Sequence, residues 1–311
     1  RQPWLSEVDA ELVITDIGLY ADLNIALPAG LYLRAGLRAD ALAYDIEDRL
    51  ASGGQQGSRD AFGFHLGPKA TLEWRPLGWL RLFGSYGNGF RSPQALSLGQ
   101  GESAPFTTVH AGELGGRLRW GHWLDATLAG FITHVGEDLI FDHASGRTMA
   151  SGGTTRGGVT LMLEGQPLAW LHATLGVTYT RAVLDDSGEV LPYAPPLVLR
   201  LDLDARKGVA RLWGRRLSIF GELGIGVVGP RPLPYGEQTR SVALVDLGVG
   251  LELSPVTLSL ELFNLADVRW RDGEFVYASS FDQQGHASLV PARHFTAGRP
   301  FTAQGTLTLL F

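Results

Sequence analysis

The sequence predicts an all-β fold, an antiparallel transmembrane β-barrel with thirteen strands in this chain. Three observations carry that expectation. Polar and apolar side chains alternate with period two along most of the 311 residues, as in a strand that turns one face to oil and the other to water. The connections between these runs alternate in length, short then long. Six tryptophans, Trp74, Trp79, Trp120, Trp123, Trp170 and Trp213, crowd the short ones. A soluble sandwich or propeller has no reason to keep its short turns and its tryptophans at one end. An outer-membrane barrel does: its periplasmic turns are short, its outer loops are long, and its aromatics form interfacial girdles.

In chain order, 11–27 and 31–45 are joined by "LPAG", and 62–75 and 79–88 by "RPLG". Next, 108–120 and 123–136 are joined by "WGH", and 155–165 and 170–183 by "GQPLA". Then 196–206 and 216–228 are joined by "KGVARLWGR", 240–253 and 256–266 by "SP", and a last strand covers 300–311. Long polar stretches at 46–61, 88–107, 136–156, 184–195, 229–240 and 267–299 separate these hairpins. The alternation is cleanest in "LVLRLDLDAR", where Leu197, Leu199, Leu201 and Leu203 oppose Arg200, Asp202, Asp204 and Arg206. In "VTLSLEL", Val256, Leu258, Leu260 and Leu262 oppose Thr257, Ser259 and Glu261. No window holds the ~20 apolar residues of a membrane helix. The nearest, 242–265, would bury Asp246, Glu252 and Glu261 in hydrocarbon. The last strand sets Phe301, Ala303, Leu307, Leu309 and Phe311 on one face, so the terminal phenylalanine belongs at a lipid interface. Unpaired backbone in hydrocarbon costs several kcal/mol per group, so such strands must close into a barrel.

Composition narrows the function. The net charge is −6 and the only lysines are Lys69 and Lys207, so no basic tract suits a nucleic acid. Cysteine is absent, which excludes disulfides, thiolate-ligated zinc and thiol catalysis. The 41 glycines are too many for a helical bundle. The opening "RQPWLSEVDAEL" carries no signal-peptide pattern.

One segment is more specific. "LRLFGSYGNGFRSPQALSLGQGE" (80–102) resembles the mid-barrel motif of TonB-dependent outer-membrane receptors, matching at Phe83, Ser85, Tyr86, Gly87, Gly89, Phe90, Arg91 and Pro93. "GLYLRAGLRAD" (30–40), "ELGGRLRW" (113–120), "YAPPLVLRLDL" (193–203) and the stretch 244–270 with its Asn264-Leu265 pair resemble other strands of that family, in its usual order. "GRPFTAQGTLTLLF" resembles its C-terminus, with Gly305 one place earlier than the assembly signal usually has it. The resemblance implies a barrel of about 22 strands, plugged by an N-terminal domain. It also implies active import of a scarce nutrient, such as a siderophore–iron complex or cobalamin, energised through the TonB complex. Neither the plug nor the TonB-contacting box is recognisable in this sequence. Phe90, Arg91, Pro93, Asn264, Leu265 and Phe311 are accordingly expected to be structural.

Other motifs carry less. "GIGVVG" formally matches a dinucleotide fingerprint, but "PRPLPYG" follows where a helix is needed. The eight histidines show no metal spacing, His143 and His286 fall in loops, and Asp185, Asp186 and Glu189 lack calcium-loop spacing. No metal or cofactor is expected. His172, Thr174, Asp202 and Asp204 are polar wall positions that form no recognisable nucleophile–base set. Receptor loops hold ligands with aromatics and cations. On that ground the small-molecule ligand contacts are expected at Phe106, His110, Arg147, Arg231, Tyr235, Tyr277, Phe281, Arg293 and His294. Arg200, Asp202, Asp204 and Arg206 are expected to face the plug or pore water.

A passive channel or porin, and an outer-membrane hydrolase, are the alternative functions. The parity of the connections adds one expectation. If 267–299 is extracellular, Phe311 ends in the periplasm and the strand at 11–27 begins outside. Single-chain bacterial barrels begin and end in the periplasm with an even strand count. An odd number of strands, about nine for a barrel of about 22, is therefore expected from an upstream segment or a separate polypeptide. Besides that segment and the plug, the expected partners are outer-membrane lipid, lipopolysaccharide and, through the plug, TonB.

Overall fold

The computed structural model describes residues 10–48, 57–91, 106–142, 147–278 and 290–310. Thirteen strands form one antiparallel sheet. Its first half comprises β1 (Ala10–Leu27), β2 (Leu31–Asp48), β3 (Gly57–Leu77), β4 (Leu80–Arg91), β5 (Thr107–Trp120) and β6 (Leu124–Val135). A short hairpin, β7 (Asp138–Asp142) and β8 (Arg147–Ser151), stands apart. The sheet continues with β9 (Thr154–Leu168), β10 (Leu171–Leu184), β11 (Leu197–Leu212), β12 (Arg215–Val228), β13 (Val242–Leu253) and β14 (Val256–Phe263). A second hairpin, β15 (Arg271–Ala278) and β16 (Pro291–Ala297), precedes the final sheet strand β17 (Thr302–Leu309). Every sheet strand pairs with its sequence neighbour in the sheet, from β1 at one edge to β17 at the other, and β1 does not meet β17. The sheet is a partial barrel.

Register turns the period-two pattern into two faces, because residues directly opposite each other in an antiparallel pair share a face. One row runs Leu203, Leu223, Leu247, Leu262, Ala303. The row beside it runs His172, Asp204, Glu222, Gly248, Glu261, Gln304. In the other half, Ile25, Leu33, Leu72, Gly84, Leu114, Gly130, Val159, Tyr179 and Leu197 continue the apolar face. The wall's ion pairs fall on the opposite face: Lys69 Nζ to Asp22 at 2.9 Å, Arg117 to Asp125 at 2.6 Å, Arg206 to Glu252 at 2.8 Å. An apolar band that crosses thirteen strands, backed by paired charge, suits lipid outside and an aqueous lumen inside.

The two ends differ as the sequence implies. Tight turns close one end, and the tryptophans Trp74, Trp79, Trp120, Trp123, Trp170 and Trp213 stay exposed around it. At Trp213-Gly214 both residues have positive φ (49° and 76°), the conformation of the tight hairpin turn that matches strand twist. The nine residues "KGVARLWGR" are therefore not a link: β11 runs on to Leu212 through an irregularity between Gly208 and Ala210. At the other end, two long connections carry structure where irregular loops are expected. β7–β8 and β15–β16 are too short for their alternation to stand out in the sequence. His110, expected among the loop ligand contacts although the strand expected at 108–120 already holds it, lies within β5 opposite Asn88 and His134; its polarity misleads because a barrel strand ends in polar residues where it leaves hydrocarbon. Arg147 likewise begins β8, and Tyr277, Arg293 and His294 lie on the β15–β16 hairpin.

Candidate functional site

Above the long-connection end, β15–β16 docks onto the connections at 185–196 and 229–241. Glu274, 4% exposed, is the node. It accepts from Arg271 Nη1 at 2.8 Å and from Arg293 Nη1 at 3.2 Å, and Arg293 also pairs with Glu237. The hydrogen bond to Glu237 holds the Arg293 guanidinium above its ordinary pKa, against the cost of burial. Tyr193 Oη donates to the Val276 carbonyl at 3.4 Å and accepts from its N–H at 3.3 Å. Burial pushes that phenol upward, with the Val276 N–H opposing. Arg231 donates to the Asp272 carbonyl at 3.3 Å. Tyr277 and His294 stack with ring centroids 3.9 Å apart, and the Arg271 guanidinium lies 4.1 Å from the Phe295 ring centre. Tyr235 stands exposed in a turn of its own, Pro234–Gly236.

Of the expected ligand residues, Arg231 and Arg293 tie the hairpin to the two connections, Tyr277 and His294 stack on the opposite face of the hairpin, and Tyr235 stands in its own turn on the connection. Glu274, Arg271, Tyr193 and Glu237, which hold these parts together, are outside that expected set. The alternation in "RDGEFVYA" (271–278) is the signal that could have exposed two of them. Phe106 is elsewhere. It packs on the buried pair Leu42 and Tyr44 beside Phe90, and edge-on to His65 at 5.5 Å, so it belongs to a small core and not to an open loop. Phe281 lies outside the described residues, and the side chain of Arg147 is not described.

Arg200, Asp202, Asp204 and Arg206 share the wall face that carries the ion pairs. Arg200 clamps Asp202 through Nε at 2.8 Å and approaches Asp246 at 4.0 Å. Asp204 and Arg206 line a cavity of about 700 Å³ with His172, Arg216, Phe220, Glu222 and Glu252, open to the lumen near the short turns. His172 lies 3.4 Å from Thr174 Oγ1 and 3.7 Å from Glu164.

The motif residues bear local structure. Arg91 Nη1 donates to Asp138 Oδ1 at 2.8 Å, while Oδ2 takes Thr154 Oγ1 at 2.7 Å and Arg156. Burial would raise the Asp138 carboxyl; the Thr154, Arg91 and Arg156 bonds outweigh it and hold it below the usual carboxylate value. This node ties the base of β7–β8 to β4 and β9. Asn264 is 3% exposed with φ 49°. Its Nδ2 donates to the carbonyls of Val268 (2.9 Å) and Arg299 (3.0 Å), its Oδ1 accepts from Val268 N–H (2.9 Å), and its own N–H reaches Asp246 (2.9 Å). One side chain therefore ends β14 and joins both stems of the last long connection. Leu265 is half exposed beside it, its N–H on the Val245 carbonyl at 2.7 Å. Pro93 and Phe311 lie outside the described residues.

The family model "TonB dependent receptor-like, beta-barrel" matches residues 7–265. The chain belongs to that family. TonB-dependent receptor barrels reside in the bacterial outer membrane, so the apolar face meets lipid, the short turns are periplasmic and the long connections extracellular. The family and the similar structures are transport receptors for nutrients and not enzymes. The ferric-catecholate import receptor Fiu from E. coli K12 superposes with a TM-score of 0.73 at 16% identity, over 98% of this chain and 46% of that one. The ferric yersiniabactin uptake receptor FyuA from Yersinia pestis gives 0.74 at 14% identity, over 97% and 46%. The ferric citrate transporter FecA gives 0.74 at 15%, also over 97% and 46%. This chain therefore spans less than half of each of those structures. No curated protein matches it by sequence.

Proposed function

We propose that this chain forms the C-terminal thirteen strands of a larger receptor barrel, and that the receptor imports a siderophore–iron complex or a comparable scarce nutrient such as cobalamin, energised through TonB. The observation that carries the reading is that Arg231, Tyr235, Tyr277, Arg293 and His294 all belong to the hairpin and connections at the long-connection end, above a wall face lined with ion pairs. Aromatic plates and guanidinium groups suit an anionic, ring-bearing metal chelate. In hydrocarbon the free edges of β1 and β17 would leave backbone groups unpaired at several kcal/mol each. Strands supplied by an upstream segment or a separate polypeptide satisfy both edges. A plug inside that closed barrel would meet Arg200, Asp202, Asp204 and Arg206, and would pass the force from TonB.

The test is uptake. A strain lacking the receptor and re-supplied with it should regain radioactive iron from at least one ferric chelate, and only while TonB is present. Uptake that persists without TonB favours the passive channel. Failure to restore uptake of any iron chelate or of cobalamin overturns the nutrient reading.

A further inference from the structure

The β11–β12 hairpin runs past its neighbours at the periplasmic end. On one side Leu171, where β10 begins, stands opposite Ala205 and so in register with Gly221, six residues from the start of β12 at Arg215. On the other side Leu253, the end of β13, stands opposite Leu217, two residues from that start. Strand slant adds to one difference and subtracts from the other, so the hairpin projects by about four residues, roughly 10 Å at about 3.3 Å per residue and a tilt near 40°. The bond from Arg206 N–H to the Trp170 carbonyl, 2.8 Å, closes the pairing of β11 with β10. From Lys207 to Leu212, among the described residues, β11 pairs with β12 alone and its other edge is open.

The projecting residues are basic on one side and apolar on the other. "RKGVARLWGRR" (206–216) holds five cations and no carboxylate. Arg206 pairs with Glu252 at the rim, while none of Lys207, Arg211, Arg215 and Arg216 has a carboxylate partner among the described residues. Arg215 Nη1 donates to the Ser254 carbonyl at 2.6 Å, and the Arg216 guanidinium lies over Gly208, where a Cβ would collide with it. Arg211 and Arg216 stand directly opposite each other on the lumenal side, which is destabilising unless an anion lies between them. Ala210 and Leu212 face outward with Leu217 and Arg215. That far beyond the flanking turns, Leu212 and the 87% exposed Trp213 stand in periplasmic water, below the interfacial girdle. Cations on an open edge deter pairing with a second copy of the same edge; they do not explain its exposed apolar side.

We infer that the open edge of β11 from Lys207 to Leu212 takes, as an added strand, an extended periplasmic peptide of alternating acidic and apolar residues. Main-chain hydrogen bonds supply affinity in such an addition and alternate side chains supply specificity. The acidic residues share the lumenal side with Arg211 and Arg216 and relieve their repulsion, and the apolar residues cover Ala210 and Leu212. The inference rests on orientation in the outer membrane and not on the proposed nutrient, so failed uptake leaves it intact. The complete receptor, in phosphatidylcholine nanodiscs open on both sides, is titrated with a fluorescent octapeptide of alternating Glu and Val. Binding should slow exchange of the edge amides within 207–212 and leave β4 and β5 unchanged. Arg211→Ala combined with Arg216→Ala should weaken binding roughly fivefold, as expected for two exposed ion pairs. Arg211→Glu combined with Arg216→Glu should reverse the preference, so that a Lys-Val octapeptide binds more tightly than the Glu-Val one. A Glu-Val peptide N-methylated at alternate residues keeps its charge, loses the ladder, and should not bind. Folding of each variant is checked by the heat-modifiable gel mobility of the barrel. Unslowed exchange at 207–212, equal binding of the N-methylated peptide, or retention of phosphatidylglycerol and not of peptide through Arg211 and Arg216, overturns the inference.

Discussion

Leu260 and Ser259 are neighbours on β14, and register places them on opposite faces: Leu260 beside Val249 and Gly305, Ser259 beside Gly250 and Thr306. Leu260 stands five residues above the turn proline Pro255. At about 3.3 Å per residue and a tilt near 40°, that is roughly 13 Å into a hydrophobic band about 25 Å tall. Leu260 is therefore close to the midplane, where an arginine on the lipid face costs about 2–4 kcal/mol. That is a shift of roughly thirty- to several-hundredfold in the folded-to-unfolded ratio. Ser259→Arg directs the same charge into an aqueous lumen beside Glu261 and Glu252, and should cost less than about 1 kcal/mol. The assay is urea unfolding of the complete receptor in phosphatidylcholine vesicles, followed by heat-modifiable gel mobility. Equal tolerance of arginine at the two positions, or greater tolerance at Leu260, would refute the assignment of faces.

Asn264→Ala would remove the side-chain partners of the Val268 carbonyl and N–H, at about 1–3 kcal/mol per group, while the Arg299 carbonyl keeps its bond from Trp270 Nε1. Hydrogen exchange should accelerate at Val268 and in β15–β16 while β11–β13 stay protected. The Asp138 carboxyl is held below its ordinary 3.8 in the folded chain, so its contribution is complete above that value and disappears as pH falls through the lower folded pKa. Exchange in the β7–β8 base should rise only in strong acid, and Asp138→Asn should raise it at neutral pH and remove that dependence. On the proposed function, Tyr277→Ala should weaken binding of a ferric chelate roughly tenfold, consistent with loss of one aromatic contact, without changing the urea midpoint; fluorescence titration with ferric chelates measures the first and urea unfolding the second.

The fold was legible because a membrane wall enforces period two on every strand, and each of the thirteen expected strands has its counterpart in the sheet. "LVLRLDLDAR" could be read residue by residue. β7–β8 and β15–β16 could not, because they sit in water beyond the lipid, where neither face need be uniform. The polar and aromatic groups at the long-connection end were partly legible: guanidinium and aromatic side chains in long connections mark Arg231, Tyr277, Arg293 and His294. Their organising carboxylate was not, since Glu274 matters through Arg293 and Glu237, partners set by how three connections fold together. His110 shows the converse error. A polar residue near a predicted strand end looks like loop until register shows that it faces outward at the membrane surface. Asn264 was recognisable only through the family motif, because its partners Asp246 and Arg299 are 18 and 35 residues away.

The arrangement of thirteen strands as part of a larger barrel is tested most directly by the structure of the complete receptor in lipid. β1 and β17 should each be hydrogen-bonded to a further strand, with β11 turning Leu199, Leu201 and Leu203 to lipid and Arg200, Asp202 and Asp204 to the lumen. Direct pairing of β1 with β17, closing a barrel from these thirteen strands alone, would contradict it.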